Sequence, residues 1–150
     1  MKFRLMVAAA LGVFALPNLA GAVDVYTGET EEELNAQMVV RCQYQMGEFG
    51  NAGMHACVRS EREARVALAD YPDELRDIVG RCYRVMRMAG WDSVKLCSDR
   101  DVSARDALAS YSTKNTDIVA TCQENVGEFG HDQVKQCADK QIAKQTGSSD

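Results

Sequence analysis

The sequence predicts an all-α protein made of three tandem antiparallel helical hairpins, each held by one disulfide and stacked as a short α-solenoid. Its six cysteines form three pairs whose members stand 15 positions apart, and each pair recurs 40 positions after the previous one. A period in this range is typical of arrays of two-helix units. Apolar residues recur at steps of three and four, as on a helix face, and no segment alternates with the period of a strand.

The N-terminus predicts export. Two basic residues precede an apolar run over residues 5–16, which is too short to span a bilayer. Residues 20–22, Ala-Gly-Ala, fit the small-x-small rule for cleavage, so residues 1–22 are predicted to be a cleaved signal peptide. An uncleaved anchor helix is the alternative, which Pro17 disfavours because it ends the apolar run early.

The domain organisation follows from the repeat. Residues 23–29 are predicted to be a short N-terminal extension, residues 30–145 a single helical-repeat domain, and residues 146–150 a polar C-terminal tail. Terminal units of such arrays are commonly atypical. The three units span residues 35–74, 75–114 and 115–150.

The first helix of the array begins at a capping box, because Thr30 is followed three positions later by Glu33. Within each unit the two helices are separated by a turn that ends in glycine, the residue that adopts positive φ most easily. These glycines are Gly50, Gly90 and Gly130. In the unit 75–114, the apolar face of the first helix is predicted to consist of Ile78, Cys82, Val85 and Met86.

The second helices have their own start signals. Asp92 and Asp132 follow the turn glycines and are placed to cap these helices. Pro72 suits the first turn of the helix that follows the first unit. In the second unit the buried face of the second helix is predicted to carry Val94, Cys97, Asp101, Ala104, Leu108 and Tyr111.

The cysteine spacing favours disulfides within units. Cys42 lies 7 residues before Phe49, at the turn centre, and Cys57 lies 8 after it, so the two differ by only ~1.5 Å along antiparallel helices. Pairing Cys57 with Cys82 across Pro72 leaves a mismatch of about 7.5 Å. Each bond stabilises by about 3 kcal/mol in the chain-entropy model and requires an oxidising compartment. The predicted bonds are Cys42–Cys57, Cys82–Cys97 and Cys122–Cys137.

No metal or cofactor is predicted. The cysteines lack the close spacing of zinc knuckles, of haem attachment sites and of thiol-exchange motifs. Several methionines could form a Cu(I) site, but their helical spacing favours core packing. These methionines are Met38, Met46, Met54, Met86 and Met88.

A catalytic function is not predicted either. His55 and His131 occupy non-equivalent positions in their units, which favours surface histidines, and Glu48 and Glu128 are expected to be solvated turn residues. The sequence contains none of the common hydrolase, metalloprotease or phosphate-loop motifs. The alternative is a small exported enzyme, or an enzyme inhibitor, that uses Glu48, Asp101 or His131.

Two groups of residues are candidates for partner binding. Polar residues interrupt the apolar face of each second helix, and they either pair with a neighbour such as Arg41 or Arg81 or form a polar line that contacts a ligand. Aromatic residues lie at or beside the turns, and they either anchor a partner or fold back onto the hairpin ends. The polar group is Glu61, Asp101 and Gln141, and the aromatic group is Phe49, Trp91 and Phe129.

Charge and architecture point to an interaction protein. The net charge of −5 is dispersed, which argues against nucleic-acid binding, and the absence of an Asn-x-Ser/Thr site favours a bacterial exported protein. In plan, the array resembles secreted cysteine-stapled α/α-repeat proteins such as the bacterial cysteine-rich Sel1-like group, whose shorter repeat and closer cysteines are not matched. That resemblance implies protein–protein interaction.

We therefore expect a non-catalytic exported protein that binds an unknown protein partner in the cell envelope, in the periplasm or outside the cell. A periplasmic metal-binding or redox-binding protein is the less favoured alternative.

Overall fold

The described part of the chain consists of helices joined by short turns. The computed structural model describes residues 24 and 26–147, so the predicted signal peptide and the last three residues of the predicted tail lie outside it. Within these limits there is no strand, which confirms the all-α class. The α-helices are α1 (Glu31–Met46), α2 (Gly50–Ala69), α3 (Arg76–Met86), α4 (Trp91–Ala109), α5 (Thr116–Val126) and α6 (His131–Gly147).

Helix α1 begins at the predicted capping box. The Thr30 hydroxyl accepts a hydrogen bond from the Glu33 amide at 3.3 Å, and the Glu33 carboxylate accepts one from the Thr30 amide at 2.7 Å. Three glutamates in the first turn add a favourable interaction with the helix dipole. The start of α1 is therefore specified by local sequence alone.

The N-terminal extension forms a turn that is attached to α2. The Asp24 carboxylate accepts hydrogen bonds from the amides of Tyr26 (2.9 Å) and Thr27 (3.1 Å). The same carboxylate pairs with Arg65 of α2 at 3.3 Å, and Tyr26 packs against the core. The described residues of the extension therefore pack against the helices.

Two kinds of turn alternate along the chain. The turns from α1 to α2, from α3 to α4 and from α5 to α6 reach a glycine with positive φ, of 69° at Gly50, 104° at Gly90 and 107° at Gly130, as predicted. The other two connections contain the 3-10 turns Asp73–Leu75 and Thr113–Asn115. Pro72 directly precedes the first of these, one turn earlier than predicted, because α3 begins only at Arg76.

The second helices of the three pairs, α2, α4 and α6, lie side by side and form the central layer of the fold. Helix α4 packs against both α2 and α6, while α1, α3 and α5 pack on α2, α4 and α6 respectively. Each of these three pairs is joined by a disulfide with a Cα–Cα distance of 5.7 or 5.8 Å. The disulfides Cys42–Cys57, Cys82–Cys97 and Cys122–Cys137 are confirmed.

The buried apolar side chains form two clusters. One contains Leu34, Met38, Ala64, Leu68, Val79, Cys82, Trp91 and Val94 from the first four helices. The other contains Ile118, Cys122, Val134 and Ala138 from the last two. The predicted burial of Val85 and Met86 is wrong, because they border an open cleft at the end of α3, and Val79 is buried instead.

Candidate functional site

A buried carboxylate links α2 to the start of α4. Glu61 is 2% exposed, and its carboxylate accepts a hydrogen bond from Arg41 Nε at 2.7 Å and contacts Arg41 Nη2. It also accepts a 3.4 Å hydrogen bond from the backbone amide of Trp91, the first residue of α4. Its hydrogen bond raises the pKa of Arg41 above its ordinary value. The ion pair therefore also serves as the cap of the next helix.

The same arrangement recurs between α4 and α6. The buried carboxylate of Asp101 contacts Arg81 and accepts a 2.9 Å hydrogen bond from the backbone amide of Asp132. His131 adds a third partner, with its Nδ1 atom 3.2 Å from the Asp101 carboxylate. Of the two readings offered by the sequence, ion pairing with Arg41 and Arg81 is the one that these contacts support.

Two turn glycines allow these carboxylates to approach the backbone. A Cβ atom on Gly90 would lie 2.7 Å from Glu61 Oε1, and one on Gly130 would lie 2.6 Å from Asp101 Oδ1. At Gly50 a Cβ atom would meet nothing within 4 Å. Among the glycines that the structure describes, only Gly90 and Gly130 therefore combine positive φ with close approach to a buried carboxylate.

The predicted caps of α4 and α6 are corrected accordingly. The N-cap of α4 is Gly90, which provides no side-chain hydrogen bond. The Asp92 carboxylate instead accepts a hydrogen bond from Ser60 in α2 at 3.1 Å, and that of Asp132 accepts one from Gln136 at 2.9 Å. From the sequence, each cap was expected to be a residue of the helix itself. In the structure the capping carboxylate comes from the preceding helix of the central layer, Glu61 of α2 for α4 and Asp101 of α4 for α6.

The last helix pair has no such ion pair. Thr121 and Gln141 stand 40 positions after Arg81 and Asp101. Gln141 Nε2 donates to the disulfide sulfurs, at 3.4 Å from Cys122 Sγ and 3.5 Å from Cys137 Sγ. The predicted polar line thus consists of two buried ion-paired carboxylates and one half-buried amide.

A second contact joins successive central helices near their surface. The Tyr71 hydroxyl donates to Asp99, which also accepts from Lys95 at 2.7 Å, and burial together with the Asp99 hydrogen bond raises the pKa of Tyr71 to about 12. Burial favours protonation of Asp99, but the hydrogen bonds from Lys95 and Tyr71 outweigh it and lower its pKa. Tyr111, Asp139 and Lys135 repeat this contact between the end of α4 and α6.

The three predicted aromatic residues differ in their exposure to solvent. Phe49 and Phe129 are exposed, whereas Trp91 is 4% exposed and stacks on Tyr83 with a ring-centroid distance of 5.2 Å. Trp91 is buried because α4 begins at that residue and presents it to the core beside α1. It is therefore a core residue and does not form part of an exposed aromatic row.

Two open surfaces are lined by residues of α1 and α3. A groove of about 690 Å³, here named the α1 groove, is lined by Ala36, Gln37, Val40, Arg41, Tyr44, Gln45 and Met88. Met88 belongs to the turn before α4, and its exposure departs from the prediction of core packing for the methionines, which holds for the buried Met38. A cleft of about 440 Å³, here named the α3 cleft, has a lining that includes Arg81, Val85, Met86, Arg100, Glu128 and Phe129.

These surfaces were only partly foreseeable. The exposed Phe129 of the α3 cleft was a candidate, but the residues of the α1 groove were not. Val40 and Tyr44 stand four positions apart, on a face that turns away from the buried residues Leu34, Met38 and Cys42. The signal in the sequence was that apolar residues occupy two sides of α1. A helix that buries a single face needs apolar residues on one side only.

The groups that could support chemistry are few in the described residues. The sulfurs of Cys42 and Cys57 and a carboxylate oxygen of Glu61 lie within 4.8 Å of one another, but the sulfurs form a disulfide and the carboxylate is paired with Arg41. Disulfide sulfurs lack the thiolate charge that metal ligation uses. His55 is exposed on α2, distant in sequence from the Asp101–His131 pair.

Comparison with known proteins adds no relative to this picture, since no protein-family model, no curated protein and no solved structure matches the chain. Within the described residues, no helix has the length and apolar composition needed to cross a membrane.

Proposed function

We propose that this chain is an exported, non-catalytic helical-repeat protein that mediates protein–protein interaction in the cell envelope or outside the cell. Its three 40-residue units would be antiparallel hairpins stacked as a short α-solenoid. Support comes from the packing of α4 between α2 and α6 and from the buried carboxylates of Glu61 and Asp101, which stand 40 positions apart and each cap the following central helix. Solenoid arrays are suited to binding because they present extended grooves.

The observation that carries this proposal is the exposure of large apolar side chains in the α1 groove and the α3 cleft. Val40, Tyr44 and Met88 are 71%, 92% and 82% exposed, and Val85 and Phe129 are also exposed. Isolated exposed apolar residues are common, but a set that shares one groove marks an interaction surface. Burying this surface against a partner would remove it from water.

The disulfides support the proposed compartment. Each pair has one fully buried sulfur-bearing residue and one half-buried one, and disulfides persist in oxidising compartments such as the periplasm or the extracellular space. Their number fits a small domain whose cores are built from few large side chains.

The proposal is tested by capture from an envelope extract of the source organism, with the disulfide-bonded protein as bait. A genuine partner should be purified, bind saturably in isolation, and bind the variant Tyr44→Ala/Met88→Ala more weakly. Leu96→Ala is the matched control, since Leu96 is exposed on α4 and lines neither groove. If no captured protein binds saturably once purified, the proposed function is wrong.

One observation favours the enzyme alternative. His131 lies against the buried carboxylate of Asp101, as the base and orienting acid of a hydrolase do. In the described part of the chain, however, the His131 ring has no hydrogen bond to a nucleophile. Hydrolysis of peptide or peptidoglycan substrates that is abolished by His131→Asn would establish this alternative.

A further inference from the structure

The disulfide of the last helix pair has a different neighbour from the disulfide of the first. Gln141 Nε2 donates to both of its sulfurs, at 3.4 Å from Cys122 Sγ and 3.5 Å from Cys137 Sγ. In the first pair the equivalent position carries a carboxylate, and Glu61 Oε1 lies 3.7 Å from Cys42 Sγ. The last disulfide therefore contacts a hydrogen-bond donor where the first contacts a negative charge.

This difference acts when a disulfide is opened by a thiol. Exchange expels one sulfur as a thiolate, and the reaction is faster when that thiolate is stabilised. An amide N–H stabilises it through a charge-assisted hydrogen bond, whereas a thiolate released at Cys42 would lie beside the Glu61 carboxylate. Arg41 offsets part of that repulsion, but its hydrogen bonds go to Glu61 and to the Arg87 carbonyl oxygen. Opening of the last disulfide is therefore favoured over opening of the first.

The middle disulfide has comparable surroundings except for the amide. Cys97 lines the α3 cleft together with Arg100. In the same way, Cys137 and Lys140 line an opening of about 330 Å³ on α6, here named the α6 opening. In both cases the cation stands three residues after the cysteine. The fourth residue after the cysteine is Asp101 in the middle pair and an amide in the last, so the amide is what distinguishes the two bonds.

The charges at the rim of the α6 opening are mixed. Lys140 and Lys144 line it and have no ion pair among the described residues. Asp132 borders it, because the lining residue Gln136 donates a hydrogen bond to the Asp132 carboxylate at 2.9 Å. Rim charges of both signs leave the direct contact of Gln141 with the sulfurs as the feature that favours a thiolate here.

We infer that Cys122–Cys137 is the thiol–disulfide exchange site of this protein and reacts with thiols before the other two disulfides do. Cys137 is half-buried and lines the α6 opening, whereas Cys122 is 0% exposed. An incoming thiolate therefore attacks Cys137 Sγ. This inference does not depend on the proposed function, because it concerns the disulfide-bonded chain alone.

The exchange reaction is balanced in two steps. The electron pair of the attacking thiolate forms a new S–S bond to Cys137, and the pair of the old bond moves to Cys122, which leaves as a thiolate and accepts the Gln141 N–H. Water then protonates Cys122. A second thiolate attacks the mixed disulfide and releases Cys137, so that one disulfide of the protein is reduced while two thiols are oxidised to one disulfide.

The test treats the purified, disulfide-bonded protein with mercaptoethanol at neutral pH for graded times. Acid stops the reaction, and free thiols are alkylated and mapped by mass spectrometry. Cys122 should be alkylated first, and the mercaptoethanol adduct should be found on Cys137. This bond should open about tenfold or more faster than Cys42–Cys57 and Cys82–Cys97, the size expected for one hydrogen bond to a charged group.

Variants of Gln141 test the cause of the difference. Gln141→Glu introduces the carboxylate found in the other two units, and Gln141→Met removes the donor without adding charge, so both should slow the opening by about tenfold. Gln123→Glu is the matched control, because it makes the same chemical change at an exposed residue of α5 that has no described contact with a sulfur. Circular dichroism and the melting temperature show whether each variant is folded, and Gln141→Met keeps the test available if Gln141→Glu is not.

Several outcomes would overturn the inference. They are an earlier opening of another disulfide, an adduct on Cys122, and an unchanged rate in the folded Gln141 variants. Acceleration by urea well below the unfolding transition would also overturn it, since the bond would then open only after the last helix pair had lost its structure. The result of the capture experiment has no bearing on these outcomes, so the two proposals fail separately.

Discussion

The carboxylate of Asp101 accepts a hydrogen bond from the backbone amide of Asp132, 31 residues later in the chain, at 2.9 Å. The amide lies in the first turn of α6, where backbone donors have no partner within the helix. A side chain of α4 therefore completes the start of α6, and Glu61 of α2 does the same for α4. These two hydrogen bonds therefore help to fix the order α2, α4, α6 in the central layer.

Replacement of Glu61 by glutamine should lower the free energy of unfolding by about 3 kcal/mol, because it leaves the Arg41 guanidinium largely buried without a countercharge. Urea denaturation followed by the fluorescence of Trp91, the only tryptophan, measures the change. The control is Glu63→Gln, which alters an exposed residue of the same helix. A loss for Glu61→Gln of no more than about 0.5 kcal/mol, as expected for a surface site, would contradict this account.

Replacing the turn glycines by alanine should separate two contributions to the loss of stability, the strain of a positive φ and the displacement of a buried carboxylate. Gly50 and Gly90 both combine positive φ with extended ψ, −168° and 169°, a region in which alanine costs about 1–3 kcal/mol. Gly90→Ala should cost about 2 kcal/mol more than Gly50→Ala, because only its Cβ displaces a buried carboxylate.

A double-mutant cycle sharpens this comparison. In the Glu61→Ala background, the additional cost of Gly90→Ala should fall towards that of Gly50→Ala, since the displaced group is gone. Chemical denaturation of the four proteins supplies the coupling energy. Equal costs of Gly90→Ala in both backgrounds would show that the carboxylate contact does not constrain this turn.

Each disulfide should contribute about 3 kcal/mol, given that its loop spans 15 residues. Replacing both Cys82 and Cys97 by alanine should lower the free energy of unfolding by that amount and leave the helical content unchanged. Peptide mapping of the non-reduced wild-type protein should recover only the pairs 42–57, 82–97 and 122–137. A bond between cysteines of different pairs would be inconsistent with this fold.

Tyr71 should confer a stability that is lost at alkaline pH. Its pKa is raised from 10.0 to about 12, so the folded state favours the protonated phenol. This contribution is complete below pH 10, the unfolded pKa, and disappears as the pH rises through about 12. Phenolate absorbance should show a component titrating near pH 12 that is absent from Tyr71→Phe. If the component that is lost in Tyr71→Phe titrates near pH 10, the pKa of Tyr71 is not raised in the folded protein.

The helices and their disulfides could be predicted because their causes are local. Thr30 and Glu33 specify the start of α1 within four residues, and the spacing of Cys42 and Cys57 around a glycine turn leaves one favourable pairing. The pairing of Glu61 with Arg41 was one of two expectations, since a carboxylate on an apolar face needs a partner. In each of these cases the relevant residues are separated by 20 positions or fewer.

The capping role of Glu61 and Asp101 could not be predicted in the same way. Trp91 lies 30 residues beyond Glu61, and the donor is a backbone amide, which every residue except proline possesses. A usable signal existed in the recurrence of Arg, acid and Gly at matching offsets, as Arg41, Glu61 and Gly90 and again 40 positions later. Burial of Trp91 was missed for the same reason, because it depends on where α4 begins relative to α1.

The departure at Thr121 and Gln141 has a practical consequence for engineering. Replacing Thr121 by arginine and Gln141 by glutamate would recreate, on α5 and α6, the ion pair whose carboxylate caps the next helix of the central layer. A grafted copy of residues 75–114 placed after α6 would then find a docking surface of the kind that α2 offers to α4.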